Sequence, residues 1–463
     1  GKPGEASQRA RAFSETSMGQ GLLRAGIVAG FLIRSSAALL GPRRPLVRSM
    51  ASLAASRVGE PWAPKKVVIC GAGLHGSALA YYLTKAGHQD VTVVEREAVA
   101  CAASGKGGGF LARDWGSGPT VQLHKASFAL HEELARDLKV NSYRRIPVLS
   151  VQPGKRTERT VDLCPWLDGD ISTSSLMDPD GGAQVAPLEL CTKLMAAAQA
   201  QGAKLVMGAV TGVAKQSAKQ SAKPAGEATG EADELEAAVS GVMLESGETI
   251  EADAVVITMG PWASLAEDWF GLPVPITGIK STSVVFKSEE EVEPFALFCG
   301  EDDDHGTHLE VYPRSSGEVY LCGIGGSEYV SPERLRSGEF PPGQVPPDPS
   351  RVAAACNAFS AMSNRLGKPQ PDVAQACMRP CPPDALPLMG KVDHLRGAYI
   401  SAGHNCWGIL WAPVSGKAMA ELLMQGRASC VDLTPFAPGR FMGARERGTR
   451  GRKKGATPVG EQW

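Results

Sequence analysis

The chain lacks an excess of either charge: 48 Lys and Arg stand against 49 Asp and Glu, a formal net charge of −1 over 463 residues. Such a balance sets up no field to draw the molecule to nucleic acid or anionic lipid, and a small-molecule substrate suits it better. Metal-site spacing is missing as well. The eleven cysteines form no CxxC pair, the eight histidines make no HExxH arrangement, and the acidic run Glu301-Asp302-Asp303-Asp304 has none of the glycine spacing of a calcium loop. No metal is expected, and the acidic run reads as a solvated loop. Several cysteines lie in apolar runs, Cys70 in VVIC and Cys322 in VYLCG, the pattern of reduced intracellular thiols rather than of a disulfide framework. Long hydrophobic runs are also absent. The longest near the start, Ala25 to Ile33, falls far short of the ~20 residues that cross a bilayer, so no transmembrane segment is expected.

Acid is absent from one stretch. Between Ser17 and Arg57 there is no Asp or Glu, while Arg24, Arg34, Arg43, Arg44, Arg48 and Arg57 stand among Ala, Ser, Leu and Gly. This composition matches an organellar transit peptide, so residues 1–62 are expected to be a targeting leader to a mitochondrion or plastid. A disordered leader on a cytoplasmic protein is the alternative. A second segment, 215–234, repeats Gln-Ser-Ala-Lys in tandem and is expected to be a disordered insertion at a hairpin tip. The tail at 443–463 is basic and is expected to be disordered.

What is present between these segments is an α/β pattern. Lys66 to Cys70 is a β-branched run, Leu74 to Ala86 has helical spacing, and Val91 to Val94 is a second β run closed by Glu95. Helices are expected around Val121 to Leu138, Ala186 to Gln201 and Gly408 to Leu423, and strands at Lys204 to Met207, Val239 to Leu244 and Ala254 to Thr258. The composition then shifts to β runs near Ser283 to Phe286, His308 to Tyr312 and Val319 to Cys322. The length of 463 residues allows two or three domains.

The segment VVIC-GAGLHG-SALAYYL sets Gly71, Gly73 and Gly76 between a strand and a helix. Gly71 allows a tight turn, Gly73 lets backbone approach a pyrophosphate, and Gly76 lets helix and strand pack closely. Ala72 and Leu74 lie within the turn, and the helix start supplies N–H groups and partial positive charge. Glu95, with Arg96 beside it, ends the second strand, where an acid accepts hydrogen bonds from a ribose hydroxyl pair and disfavours a 2′-phosphate. A GxGxxG alone is weak; with strand, helix, second strand and acid in order it reads as a dinucleotide site.

Beyond this unit the chain resembles the D-amino acid oxidase superfamily of flavoproteins, which contains glycine oxidase and sarcosine oxidase. The fingerprint is the first of four segments that carry the resemblance. The second is AASGKGGGFLA, where Ala103, Ser104, Gly108, Gly109 and Phe110 would lie along pyrophosphate and flavin. The third is ADAVVITMGPWAS, with Gly260 and Trp262, joined by Val210, which would meet the adenine. The fourth is RPCPPDALPLMG followed by SAGHNCWGILWAPVSGKAMAELL, where Gly403, His404, Asn405, Cys406, Trp407, Gly408 and Ile409 would face the N1–C2=O edge of the flavin. Together they span about 65–441. The resemblance implies FAD and a Rossmann-like FAD-binding domain (about 65–135, 185–265 and 370–430). Interleaved with it would be a mixed, largely antiparallel β-sheet substrate domain (about 140–184 and 270–368), the whole oxidoreductase running over 65–440.

For the chemistry, the resemblance implies oxidation of a small amine or amino acid, its α-hydrogen passing as hydride to flavin N5 and the imine being hydrolysed by water. Arg379 falls where glycine oxidase has the arginine that clamps the substrate carboxylate; pairing with Asp384 at the surface is the alternative. Tyr312 and His404 are expected at the substrate pocket, His404 either as a weak base or through its backbone. Cys377 matches the cysteine that carries covalent flavin in sarcosine oxidases, or is a buried thiol. The oxygen-activating lysine of sarcosine oxidases has no equivalent in Val319 to Ser327, leaving Lys106, Arg113 and Lys280 as substitute cations or as solvated side chains. An NADH-using flavin hydroxylase or a disulfide reductase is opposed by the absence of a second GxGxxG, a late GD motif and a CxxxxC pair. A flavin-binding protein with a mainly trafficking or assembly role and weak turnover remains the alternative function.

Overall fold

The computed structural model describes residues 63–157, 162–217 and 237–442. The expected leader and basic tail lie outside these residues, as does most of the expected insertion. Lys215 to Ser217, placed in that insertion from the sequence, instead continue the strand Val210–Ser217, because Ser217 pairs antiparallel with Ala237 of Ala237–Leu244.

The strand Lys66–Cys70 lies inside a six-stranded sheet ordered Leu388–Lys391, Ala398–Ala402, Ala254–Ile257, Lys66–Cys70, Asp90–Glu95 and Lys204–Met207. All neighbours run parallel except the first pair. A parallel strand covered on both faces reads as an unbroken apolar run, and VVIC is such a run. Its alternation divides the core: Val67 and Ile69 join the cluster under the helices Leu74–Lys85, Pro187–Ala200 and Gly408–Gln425, while Val68 and Cys70 pack toward the three-stranded sheet that contains Val213 and Val242.

A second, eight-stranded and mostly antiparallel sheet carries Val148–Pro153, Ile171–Asp178, Thr277–Lys287, Ala296–Cys299, Glu310–Pro313, Glu318–Cys322, Glu328–Val330 and Val373–Cys381. The run expected at Ser283 to Phe286 is thus part of the second half of an eleven-residue strand. The helix Pro349–Met362, whose start is capped by Asp348 accepting from Ser350 N at 2.8 Å, packs on one face against Phe286, Leu297 and Leu321. The opposite face, bearing Tyr312 and Tyr320, turns toward the glycine-rich turns at the carboxyl ends of the parallel strands. That is where open α/β sheets place their ligands. Among the described residues no helix is long and apolar enough to cross a membrane.

Candidate active site

Between the two sheets runs a cavity of about 350 Å³. Of the residues expected to hold a cofactor, all but Ala72 and Gly76 line it, and Arg379, Tyr312 and Cys377 line it too. Ala72 and Gly76 stand behind the wall for a steric reason. A Cβ on Gly76 would lie 1.9 Å from Gly71 O, so turn and helix approach each other only with glycine there. Gly71 has φ +105°, a conformation open to glycine, and its N–H donates to Val94 O at 2.8 Å. Leu74 N donates to Ser104 Oγ at 2.9 Å, which joins the small-residue loop to the helix start. Glu95 is buried, its Oε2 accepting from Ala72 N at 2.8 Å and its Oε1 from Glu97 N at 2.9 Å. These bonds fix the carboxylate at the nucleotide end of the cavity, beside Arg96 and Val210.

At the other end the strand Ala398–Ala402 leads through Gly403 (φ +81°) and Asn405 (φ +47°) into a 3₁₀ turn, Asn405–Trp407, and the helix Gly408–Gln425. Among the described residues no side chain caps this helix, so its first N–H groups and the positive end of its dipole stay available at the cavity wall. The helix start is held from behind. His131 of the helix Val121–Asp137 donates from Nε2 to the carbonyls of Ile409 and Leu410, both at 3.1 Å. Desolvation brings the His131 ring down to about 4, so it is neutral. His404 is stacked on His75 with centroids 3.6 Å apart, and its Nε2 meets Ser415 Oγ at 3.1 Å. Burial, then the neighbouring His75, holds His404 well below its ordinary value, and burial takes His75 to about 3. His75 had no role in the sequence reading, since nothing in GAGLHG marks the fifth position.

The wall facing this loop belongs to the eight-stranded sheet. Arg379, on Val373–Cys381, donates from Nη2 to Ser281 Oγ at 3.4 Å. The alternative pairing with Asp384 is not formed: Arg440 binds that carboxylate instead, Nε at 2.8 Å and Nη2 at 3.1 Å. Tyr312 stacks on Phe110 at 5.5 Å, parallel to within 2°, and on Tyr320 at 6.3 Å. The Tyr312 hydroxyl donates to Glu310, which also lines the cavity and was not foreseen from the sequence, where it is one acid within a β run. Burial raises the Cys377 thiol, with Arg379 pulling the other way. The three substitute cations are engaged elsewhere: Lys280 with Glu328 at 3.2 Å, Arg113 with Asp114 at 2.6 Å, and Lys106 with the carbonyls of Gly343 (2.9 Å) and Ala376 (3.2 Å). Lysine is absent from the cavity wall among the described residues. They also contain no His, Cys, Asp and Glu group able to hold a metal ion.

The cavity suits the cofactor implied by the sequence. It runs from an acid at the end of a parallel strand, past two helix starts, to a loop with buried polar atoms. Asn405 Oδ1, His404 Nδ1 and His75 Nδ1 are all buried there with no hydrogen-bond partner among the described residues. Unpaired buried polar atoms in a native fold call for a ligand or solvent partner.

Known proteins share the fold. A Schizosaccharomyces pombe protein named as a putative oxidoreductase is 26% identical over 394 residues, covering 81% of this chain and 98% of that protein. Glycine oxidase of Geobacillus kaustophilus is 24% identical over 420 residues, 81% of this chain and 97% of its own. Its crystal structure superposes with a TM-score of 0.64 over 82% of this chain and 99% of that one, at 21% identity. The mitochondrial sarcosine dehydrogenase of Mus musculus is 24% identical over 392 residues, 78% of this chain and 40% of that protein. Residues 66–422 match the DAO family, described as FAD dependent oxidoreductase, and the chain belongs to that family.

Proposed function

We propose that this FAD-dependent oxidoreductase oxidises a small amine bearing a carboxylate, with hydride passing from the α-carbon to flavin N5. The observation that carries the reading is Arg379 on the cavity wall, on the sheet face opposite the Gly403–Ile409 loop. Its planar donors suit the two oxygens of a carboxylate, and binding there sets the rest of the substrate at the aromatic wall of Phe110, Tyr312 and Trp407. That wall excludes water and limits the poses of the amine. Gly71, Gly73, Leu74, Ser104 and Glu95 would hold the nucleotide half of FAD, and Gly403 to Ile409 the ring, where bound FAD supplies the two-electron acceptor. The first N–H groups of Gly408–Gln425 would stabilise negative charge at that position. His404, neutral and bonded to Ser415, serves as a positioning residue for this loop rather than as a base.

Anaerobic mixing of purified holoprotein with a panel of amines and amino acids tests this through loss of flavin absorbance near about 450 nm. Bleaching by carboxylate-bearing amines is expected, and a panel that leaves the flavin oxidised would sink the reading. We also place the protein in a mitochondrion or plastid, on the acid-free, arginine-bearing composition of Ser17 to Arg57 and the similarity to a mitochondrial sarcosine dehydrogenase. A fluorescent fusion that stays cytoplasmic with residues 1–62 intact would refute the placement.

A further inference from the structure

Carboxylate capture by Arg379 leaves one charged group on the same wall without a task. The strand Glu310–Pro313 lies between Ala296–Cys299 and Glu318–Cys322, with Glu310 opposite Phe298 on one side and Cys322 on the other. Phe298, Glu310, Tyr312 and Cys322 all line the cavity. The Tyr312 hydroxyl and the Cys322 thiol both donate to Glu310 Oε2, the thiol at 3.4 Å. Burial first, then the Glu310 charge, keeps both donors protonated, with phenol and thiol held well above their ordinary values. Two donors converging on one oxygen fix the carboxylate and leave Oε1 without a protein donor among the described residues.

The other carboxylate on the cavity wall, Glu95, is committed to backbone N–H groups at the nucleotide end. The titratable groups around Glu310 are Cys299 on one neighbouring strand, Cys322 on the other, Tyr312 on its own, Cys406 on the loop before the last helix, and His308, two residues earlier in the chain and also on the cavity wall. Burial keeps the thiols and the phenol neutral. The nearby cation is Arg379, whose charge reaches Cys322 and Cys406 as that of Glu310 does. One fixed anion and one fixed cation facing the same aromatic end of the cavity are complementary to a zwitterion.

We propose that Glu310 is the amine anchor and proton acceptor of this site, so that the substrate class is a zwitterionic amine with its anionic end at Arg379 and its ammonium at Glu310. This rests on reading the chamber as an amine-oxidising site. The ammonium N–H bond breaks, an O–H bond forms on Oε1, and the electron pair stays on nitrogen, giving the neutral amine from which an α-hydrogen can leave as hydride. The proton on Glu310 returns to water when product departs. A carboxylate with one free oxygen at the amine gives that proton a place to go inside the chamber.

The test uses holoprotein in wild-type, Glu310→Gln and Glu310→Asp forms. Glycine, N-methylglycine and L-proline serve as substrates, and trimethylglycine and propionate as binding probes read from the flavin spectrum. In the wild type trimethylglycine should bind more tightly than propionate. Glu310→Gln should weaken trimethylglycine by about tenfold or more, with propionate no weaker than before. Its kcat/KM should also fall most at low pH, where the substrate ammonium has lost its acceptor, and climb with pH until the substrate ammonium itself ionises. Glu310→Asp should fall between the two. Equal binding of both probes by the wild type overturns the proposal, and this reading stands even if Glu310→Gln does not retain FAD. So does an unchanged pH profile with unchanged trimethylglycine affinity in Glu310→Gln. If no amine reduces the wild-type flavin, the amine-oxidase reading falls, whereas the two-probe comparison still measures the charge recognition by Glu310 alone.

Discussion

Lowering the pH from 7 to 5 is predicted to destabilise the apoprotein by about 2 kcal/mol for each of His75 and His131. Burial brings His75 to about 3 and His131 to about 4, against 6.5 for an unperturbed imidazole. The sign follows from proton counting. Below 6.5 the unfolded chain binds a proton that the folded chain refuses, so the contribution is complete above 6.5 and is lost as pH falls toward the folded values. At pH 5 each ring lies about 1.5 units below its unfolded value, and one unit is worth about 1.4 kcal/mol. His124 and His404 are lowered as well and add in the same direction. Carboxylates with depressed values, such as Glu189 at about 2 through its bonds to Lys193 and Ser142 against the cost of burial, lose their contribution only below about 4.5. The interval from 7 to 5 therefore isolates the histidines. Urea midpoints followed by tryptophan fluorescence would measure the slope. His131→Gln, whose amide can still donate to Ile409 and Leu410, should remove about 2 kcal/mol of the loss. His75 lines the cavity beside the phosphate-binding turn, so saturation with FAD should raise its pKa and flatten the slope further. A His131→Gln slope equal to that of the wild type would refute the reasoning.

Gly76→Ala should weaken FAD by about 10- to 100-fold, because its new Cβ must displace the Gly71 carbonyl or the helix; titration of flavin fluorescence checks it, and wild-type affinity would count against the turn as the pyrophosphate site. Arg379→Lys should raise KM for carboxylate-bearing substrates by about 30- to 100-fold with FAD content unchanged, since an ammonium cannot form the two parallel bonds of a guanidinium; steady-state kinetics with an equal loss for a carboxylate-free amine would refute the assignment. Cys377, with its thiol raised by burial, is poor in the thiolate that attacks a flavin, so acid precipitation should leave the flavin in the supernatant. A yellow pellet that turns white in Cys377→Ser would overturn this.

The parts of the fold that were legible in the sequence are those where backbone geometry restricts residue choice. The φ of Gly71 and the close contact at Gly76 demand glycine, and a parallel strand covered on both faces demands an apolar run such as VVIC. The strand Val373–Cys381 escaped because it offers neither signal. Its buried apolar face is only Ala376 and Met378, too short to stand out in AQACMRP, and it is held by nine register pairs with Thr277–Lys287, almost a hundred residues earlier. Its two site residues, Cys377 and Arg379, were found through resemblance to a motif and not through strand periodicity. The choice of partner for Asp384 was likewise out of reach, as Arg440 lies 56 residues away and only the folded chain brings it to the carboxylate.

This contrast separates the two ends of the chamber. At the nucleotide end the wall is built from glycines of the turn, Ser104 bonded to the helix start, and an acid fixed by main-chain donors. Substitutions there act through shape, and their effect should appear as lost FAD. At the end proposed to hold the amine, selectivity would depend on side chains, Arg379 on one strand and Glu310, Tyr312 and Cys322 on two others, any of which can change while the sheet keeps its register. Substitutions there should leave the flavin bound and move KM or the pH profile. A chain that shares the fold and fingerprint of glycine oxidase need not share its substrate, because the residues that distinguish amines occupy positions the backbone does not constrain.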